Sequence, residues 1–149
     1  MDSKITFKEI AHKSPDWEQA VELRRKILRI PLGMDFTKEE LENEYSDMHF
    51  AGFLDGQVVA AAVLRKANDE DLQLRQICVD DSHQGKGYGS ELNKIIESAA
   101  KEKSYKRIIA HARKTALKFY ERLDYQIEGD EYILVTIPHR KVIKILSES

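Results

Sequence analysis

Cysteine is almost missing from this chain of 149 residues: Cys78 stands alone. One thiol excludes an internal disulfide and a cysteine-built zinc site, and no metal is expected. Long apolar runs are missing too. The longest, Val58 to Leu64, has seven residues, far below the roughly 20 that a membrane-spanning helix needs. The opening MDSKITFKEI has no apolar signal core, so the expected location is cytoplasmic. Nor is either sign of charge in excess. Lys plus Arg is 24 and Asp plus Glu is 26, a net charge of -2. A dedicated nucleic-acid binder shows a basic surplus, so nucleic acid is not an expected partner, and neither is a membrane. Repeats, low-complexity tracts and linkers are absent.

What is present is a globular composition, 42% apolar and 34% charged, at a length that suits one domain over 1–149. Residues 5–12 read as a strand. Trp17, Ala20, Val21, Ile27 and Leu28 recur at helical spacing over about 16–29, and Pro31 and Gly33 end that helix. Thr37 and Glu40 form a capping-box pattern for a short helix to about residue 45. Strands follow at 49–54 and 58–64, joined by the hairpin dipeptide Asp55-Gly56. The second is apolar on both faces and is expected at the centre of the sheet. Further strands are expected at 72–79 and 107–113, and helices at 87–103 and 114–123. A hairpin of Tyr125–Glu128 and Tyr132–Ile137 closes the chain. This order predicts an α/β mixed sheet with helices on both faces.

The strand at 72–79 carries an irregularity. Leu72 and Leu74 keep a period of two, but the next apolar residues are Ile77 and Val79. A β-bulge near Arg75–Gln76 restores the phase; otherwise Gln76 faces inward, or the strand lies at an edge.

Three of the seven glycines fall within five residues, in Gln84-Gly85-Lys86-Gly87-Tyr88-Gly89-Ser90. A strand precedes this loop and an amphipathic helix follows. That arrangement offers backbone N–H groups and a positive helix end to an anion. The Walker pattern is absent, and Ser90 stands where the dinucleotide fingerprint needs its last glycine. The pattern that fits is Q-x-x-G-x-G, from Gln84, Gly87 and Gly89.

That pattern resembles the pyrophosphate loop of the GNAT superfamily of N-acetyltransferases. Ala116-x-x-Phe119-Tyr120-x-x-Leu123-x-Tyr125 resembles a second family segment, about 30 residues downstream, and the order of elements resembles the whole fold. Thr136-Ile137-Pro138-His139 resembles an ending seen in small bacterial members whose acceptors are mostly unassigned. The resemblance implies a mostly antiparallel GNAT sheet with a bulged, splayed strand. It implies acetyl-CoA as co-substrate, without a metal. Asp124 departs from the family's glycine at a position that caps a helix in the left-handed region, which Asp tolerates at modest strain.

The resemblance also assigns roles. Ile77 and Val79 pair with the pantetheine amides, and residues 84–90 hold the pyrophosphate. The Val79 N–H donates to the oxyanion. Tyr120 lies against the cofactor and protonates the departing thiolate. A thiol titrates near ~8.5 and a phenol near ~10, so Tyr120 keeps its proton at neutral pH. Some family members carry a glutamate base on the bulged strand; the matching residue here is Gln73, which cannot serve. His111 reads as a hydrogen-bonded sheet histidine or as the base; His139, or Glu131 through water, are alternatives. Cys78 reads as a small buried side chain.

Six acids lie within 35–47 against one base, Lys38, and seven bases within 101–118 against Glu102. In the family the region of the first two helices walls the acceptor site. The acidic stretch therefore reads as a solvated face or as a wall for a cationic amine. Lys114 or Lys118 could reach phosphate, and Arg24 or Arg25 an acidic acceptor group. The resulting expectation is an acetyl-CoA-dependent N-acetyltransferase acting on a primary amine of a small molecule or peptide by direct transfer. The alternative is a non-catalytic acetyl-CoA-binding or regulatory domain of the same fold. Dimers are common in the family, and the sequence shows no homodimer interface.

Overall fold

Ser14 opens the first helix, because its hydroxyl oxygen accepts the Trp17 amide at 3.1 Å and Pro15 occupies a position that needs no donor. The computed structural model describes residues 4–146; the ends of the expected domain, 1–3 and 147–149, lie outside the described residues. Strand β1 is Thr6–Ile10 and helix α1 is Pro15–Arg24. The helical path then widens into a π-turn, Arg25–Arg29, and tightens at Ile30–Leu32 before Gly33 ends it at φ 70°. Helix α2, Lys38–Glu42, has the expected capping box: Glu40 N–H donates to Thr37 Oγ1, and Thr37 N–H to Glu40 Oε1.

Strands β2 (Met48–Leu54) and β3 (Gln57–Lys66) form the expected hairpin through Asp55-Gly56, both at positive φ. β4 is Asp71–Val79, helix α3 is Tyr88–Glu102, and β5 is Arg107–Arg113. Helix α4 is Leu117–Arg122, followed by β6 (Gln126–Leu134) and β7 (Ile137–Ile145). The sheet is mixed, in the order β1-β2-β3-β4-β5-β7-β6. β4 and β5 are parallel; the pairs β1–β2, β2–β3, β5–β7 and β6–β7 are antiparallel. No helix among the described residues is long and apolar enough to cross a membrane.

Two compact units divide the chain. One runs to Arg65 and includes Gln76–Ile96; the other comprises Lys66–Arg75 and the chain from Glu97. In the first unit Trp17, Ala20, Val21 and Leu23 of α1 pack against Ile10, Ala51, Ala61 and Cys78 on four strands. β3 is buried continuously from Val59 to Leu64, as expected of a central strand covered on both faces. In the second unit Leu72, Leu74, Ile108, Ala110, Ala112 and Val142 are buried, and β5 buries every second residue from Ile108 to Ala112.

The end of the chain corrects the expected hairpin. Tyr125–Glu128 and Tyr132–Ile137 are not two strands. Residues 126–134 form one strand whose register shifts between Glu128 and Tyr132, with Gly129 at φ 78°. The connection expected at 129–131 is therefore an irregularity within β6. The turn lies at Val135 and Thr136, at φ 50° and 63°. β-branched residues are rare in that region, which hides the turn from sequence rules. The other irregularity, in β4, is accounted for by an inward Gln76: Leu72, Leu74 and Cys78 are buried, and Gln76 accepts a hydrogen bond from Arg24.

Candidate functional site

The glycine loop follows directly from the end of β4 in the first unit. Asp80 N–H donates to Val59 C=O at 2.8 Å, and the Asp80 carboxylate accepts from Ser82 N–H and Oγ, setting the turn at Asp81–His83. Lys26 pairs with the same carboxylate at 3.3 Å. Gln84 Nε2 then donates back to Val79 C=O at 3.0 Å, clasping loop to strand. Gly85 and Gly87 lie at φ 81° and 84°, where a side chain would be strained. Gln84 to Gly87 are exposed, and Tyr88, Gly89 and Ser90 are half-buried in the first turn of α3. Exposed backbone, open space beside both glycines, the Lys86 cation and a helix N-terminus suit a phosphate group. Ile77 and Val79, the expected thioester-arm partners, are half-buried on the same continuous segment.

Cys78, between them, is buried, and burial pushes its thiol up to about 12. It is therefore a packing residue, as expected, and not a nucleophile.

The acidic stretch is held internally. Arg24 is 1% exposed and forms a bidentate pair with Glu44, while its Nε donates to Gln76 Oε1 at 2.6 Å. Arg25 holds Asp35, Arg29 faces Glu40, and Arg65 holds Asp47. Four of the six acids thus have arginine partners, and Arg24 and Arg25 are themselves engaged. His12 and His49, which had no context in the sequence, donate to the carbonyls of Leu41 and Glu44, each at 2.9 Å, and their rings stack at 5.7 Å.

In the second unit Tyr120 is buried in α4, between Phe119 and Tyr125, whose rings meet it edge-on at 5.2 and 5.1 Å. Burial raises its phenol above the ordinary tyrosine range, so it stays protonated at neutral pH. The Tyr120 carbonyl accepts from the amides of Leu123 and Tyr125, and Asp124 takes the left-handed position at φ 68°.

Two of the three base candidates, His111 and His139, meet at a residue that the sequence reading missed, Tyr132. His111 Nδ1 is hydrogen-bonded to the Tyr132 hydroxyl. The His139 ring stacks on Tyr132 at 6.2 Å, with its Nδ1–H donated to Ile137 C=O at 2.7 Å. Glu131, the preceding residue, is paired with Lys114 at 3.5 Å. Partial burial pushes the His111 imidazole below the ordinary histidine range, and the charges of Lys141, His139 and Arg75 act in the same direction. Burial raises the Tyr132 phenol. Tyr132 was legible only as a strand aromatic; its pairing opposite His139 depends on the β6–β7 register.

Known proteins resemble this chain in sequence and in fold. The sequence model of the acetyltransferase (GNAT) family matches residues 17–125. An uncharacterized N-acetyltransferase of Bacillus subtilis, YjcF, is 31% identical over 107 residues, covering 71% of this chain and 74% of that protein. Ard1 from Thermoplasma volcanium has a similar fold, with a TM-score of 0.79 at 18% identity over 97% of this chain and 99% of that one. So does a GNAT family acetyltransferase from Elizabethkingia anophelis solved with acetyl-CoA bound, at TM-score 0.74 and 18% identity, covering 95% of this chain and 98% of that one.

Proposed function

The chain belongs to the GNAT acetyltransferase family, and from that premise we propose that residues 1–149 are one acetyl-CoA-dependent N-acetyltransferase domain acting on a primary amine. The observation that carries this reading is the exposed Gln84–Gly87 loop at the N-terminus of α3, clasped to the end of β4 by Gln84. In this reading the loop amides from Gln84 to Ser90, with Lys86, neutralise the pyrophosphate. Ile77 and Val79 hold the thioester arm, and the Val79 N–H stabilises the developing oxyanion. Tyr120 has the role that the family resemblance assigns to it, giving its proton to the departing thiolate. Its raised pKa supports that role, since the proton is present at every physiological pH.

The acceptor is a small molecule or peptide. With four of the six acids in 35–47 already paired to arginine, that stretch gives little support to a polycationic acceptor. Gln73, in place of a glutamate base, favours the second reading, a non-catalytic acetyl-CoA-binding domain.

The test has two steps. Acetyl-CoA should raise the melting temperature well beyond any effect of ATP or NAD; stabilisation by ATP alone would overturn the reading. Free-thiol release across amino acids, peptides, polyamines and aminoglycosides then separates transferase from binding domain. Binding without release from any amine would favour the second reading.

A further inference from the structure

Several side chains of the second unit lie on one sheet face. Gln73 of β4 is opposite Ile109 of β5, and His111 follows two residues later on the same face. His111 is opposite Lys141, and His139, two residues from Lys141, is opposite Tyr132. On this face His111 is exposed and His139 is buried, while Ala110, Ala112 and Val142, which alternate with it, are buried on the other. The position without a base, Gln73, thus shares its face with the hydrogen-bonded His111 and Tyr132.

Building on the transferase reading, we propose that Tyr132 and His111 form the proton relay that deprotonates the acceptor amine, with the Tyr132 oxygen as the atom that receives the proton. An ammonium N–H breaks as a new Tyr132 O–H forms. The original Tyr132 proton passes to His111 Nδ1. The amine keeps the electron pair and attacks, and the imidazolium releases its proton to water, since His111 is exposed.

The starting state is the neutral pair, with the phenol donating to the imidazole lone pair. Both groups favour it: the phenol is raised and the imidazole lowered. Five charged groups lie on or beside these strands. Arg75 on β4 and Lys141 on β7 are cations, Lys141 is itself paired with Glu128 of β6, and Lys114 is paired with Glu131. The cations that lower His111 also disfavour a bound ammonium, so the relay works on an amine already inclined to lose its proton. His139, with its Nδ1–H fixed by Ile137, acts as a positioning residue that packs beneath Tyr132.

The experiment uses the full chain, acetyl-CoA and a panel of free amino acids and tripeptides, with thiol release as the rate. Tyr132→Phe and His111→Gln should each lower kcat at pH 7 about 100-fold, with acetyl-CoA affinity unchanged. The deficit should close as pH rises through the amine's own titration, because the substrate then arrives neutral. In NMR, Tyr132→Phe should move the His111 titration upward, since the neutral imidazole loses its donor. Equal rates in wild type and both variants, or a deficit that persists at high pH, would overturn the relay alone. A wild type that binds acetyl-CoA but turns over no amine would sink the transferase reading, and the relay with it.

Discussion

Both units bury polar groups, Asp71 and His139 in the second among them, but they differ in what they leave outward. The first buries charge: Arg24, Glu44 and His49 lie within a core otherwise made of α1 and four strands, and each is satisfied by a named partner. Its outward chemistry is carried mainly by backbone, in the loop from Gln84 to Gly87. The second unit buries Ile108, Ala110, Ala112 and Val142, and the relay proposed for it rests on side chains that alternate with these, at His111, Tyr132 and His139. A backbone site needs glycines at fixed spacing and is written along the chain. A side-chain site on a sheet needs register, and register is a relation between distant segments.

The largest expected effect lies in the buried charge. Glu44→Ala leaves the Arg24 guanidinium unpaired and should cost about 3–5 kcal/mol in denaturant unfolding. Arg24→Met combined with Glu44→Leu should recover most of that; if the double variant is no better than the single, the pair does not act as a unit. Next comes Tyr120→Phe, expected to lower kcat about 100-fold with acetyl-CoA affinity intact. An unchanged rate would remove Tyr120 as the acid. Gly87→Ala sharpens the backbone side of the comparison. Its Cβ meets open space, but the left-handed backbone carries strain of about 1–2 kcal/mol. Calorimetry should show acetyl-CoA bound roughly tenfold more weakly, with the melting temperature lowered by about 2–8 °C from the strain.

The smallest effect concerns the pair that joins β4 to β5. The Arg107 hydrogen bonds hold the Asp71 carboxylate below its ordinary range. A carboxylate lowered in the folded state contributes stability above its unfolded pKa, near ~3.9, and loses it as pH falls through the folded value. Wild type should therefore exceed Asp71→Asn in urea stability at neutral pH, and the gap should shrink below about pH 4. A gap independent of pH would assign the effect to packing.

Much of the fold follows from local signals. Thr37 with Glu40, Asp55-Gly56 and the apolar run of β3 each act within a few residues, and each element forms where its signal lies. The last strands differ from the expected hairpin because the chain bends at Val135-Thr136, two β-branched residues in a region they seldom occupy. Gln76 is a similar case. Its polarity breaks the alternation in the sequence, and Arg24, fifty-two residues earlier, supplies the partner that lets it face inward.

By itself the sequence determined the family, the order of elements and the glycine loop at 84–90 on which the proposed pyrophosphate site rests, because spacing along the chain dictates local backbone geometry. Only the tertiary structure decided that the acids of 35–47 are answered by arginines, and that His111, Tyr132 and His139 share a face. Those outcomes depend on strand register and on burial, which no short segment encodes.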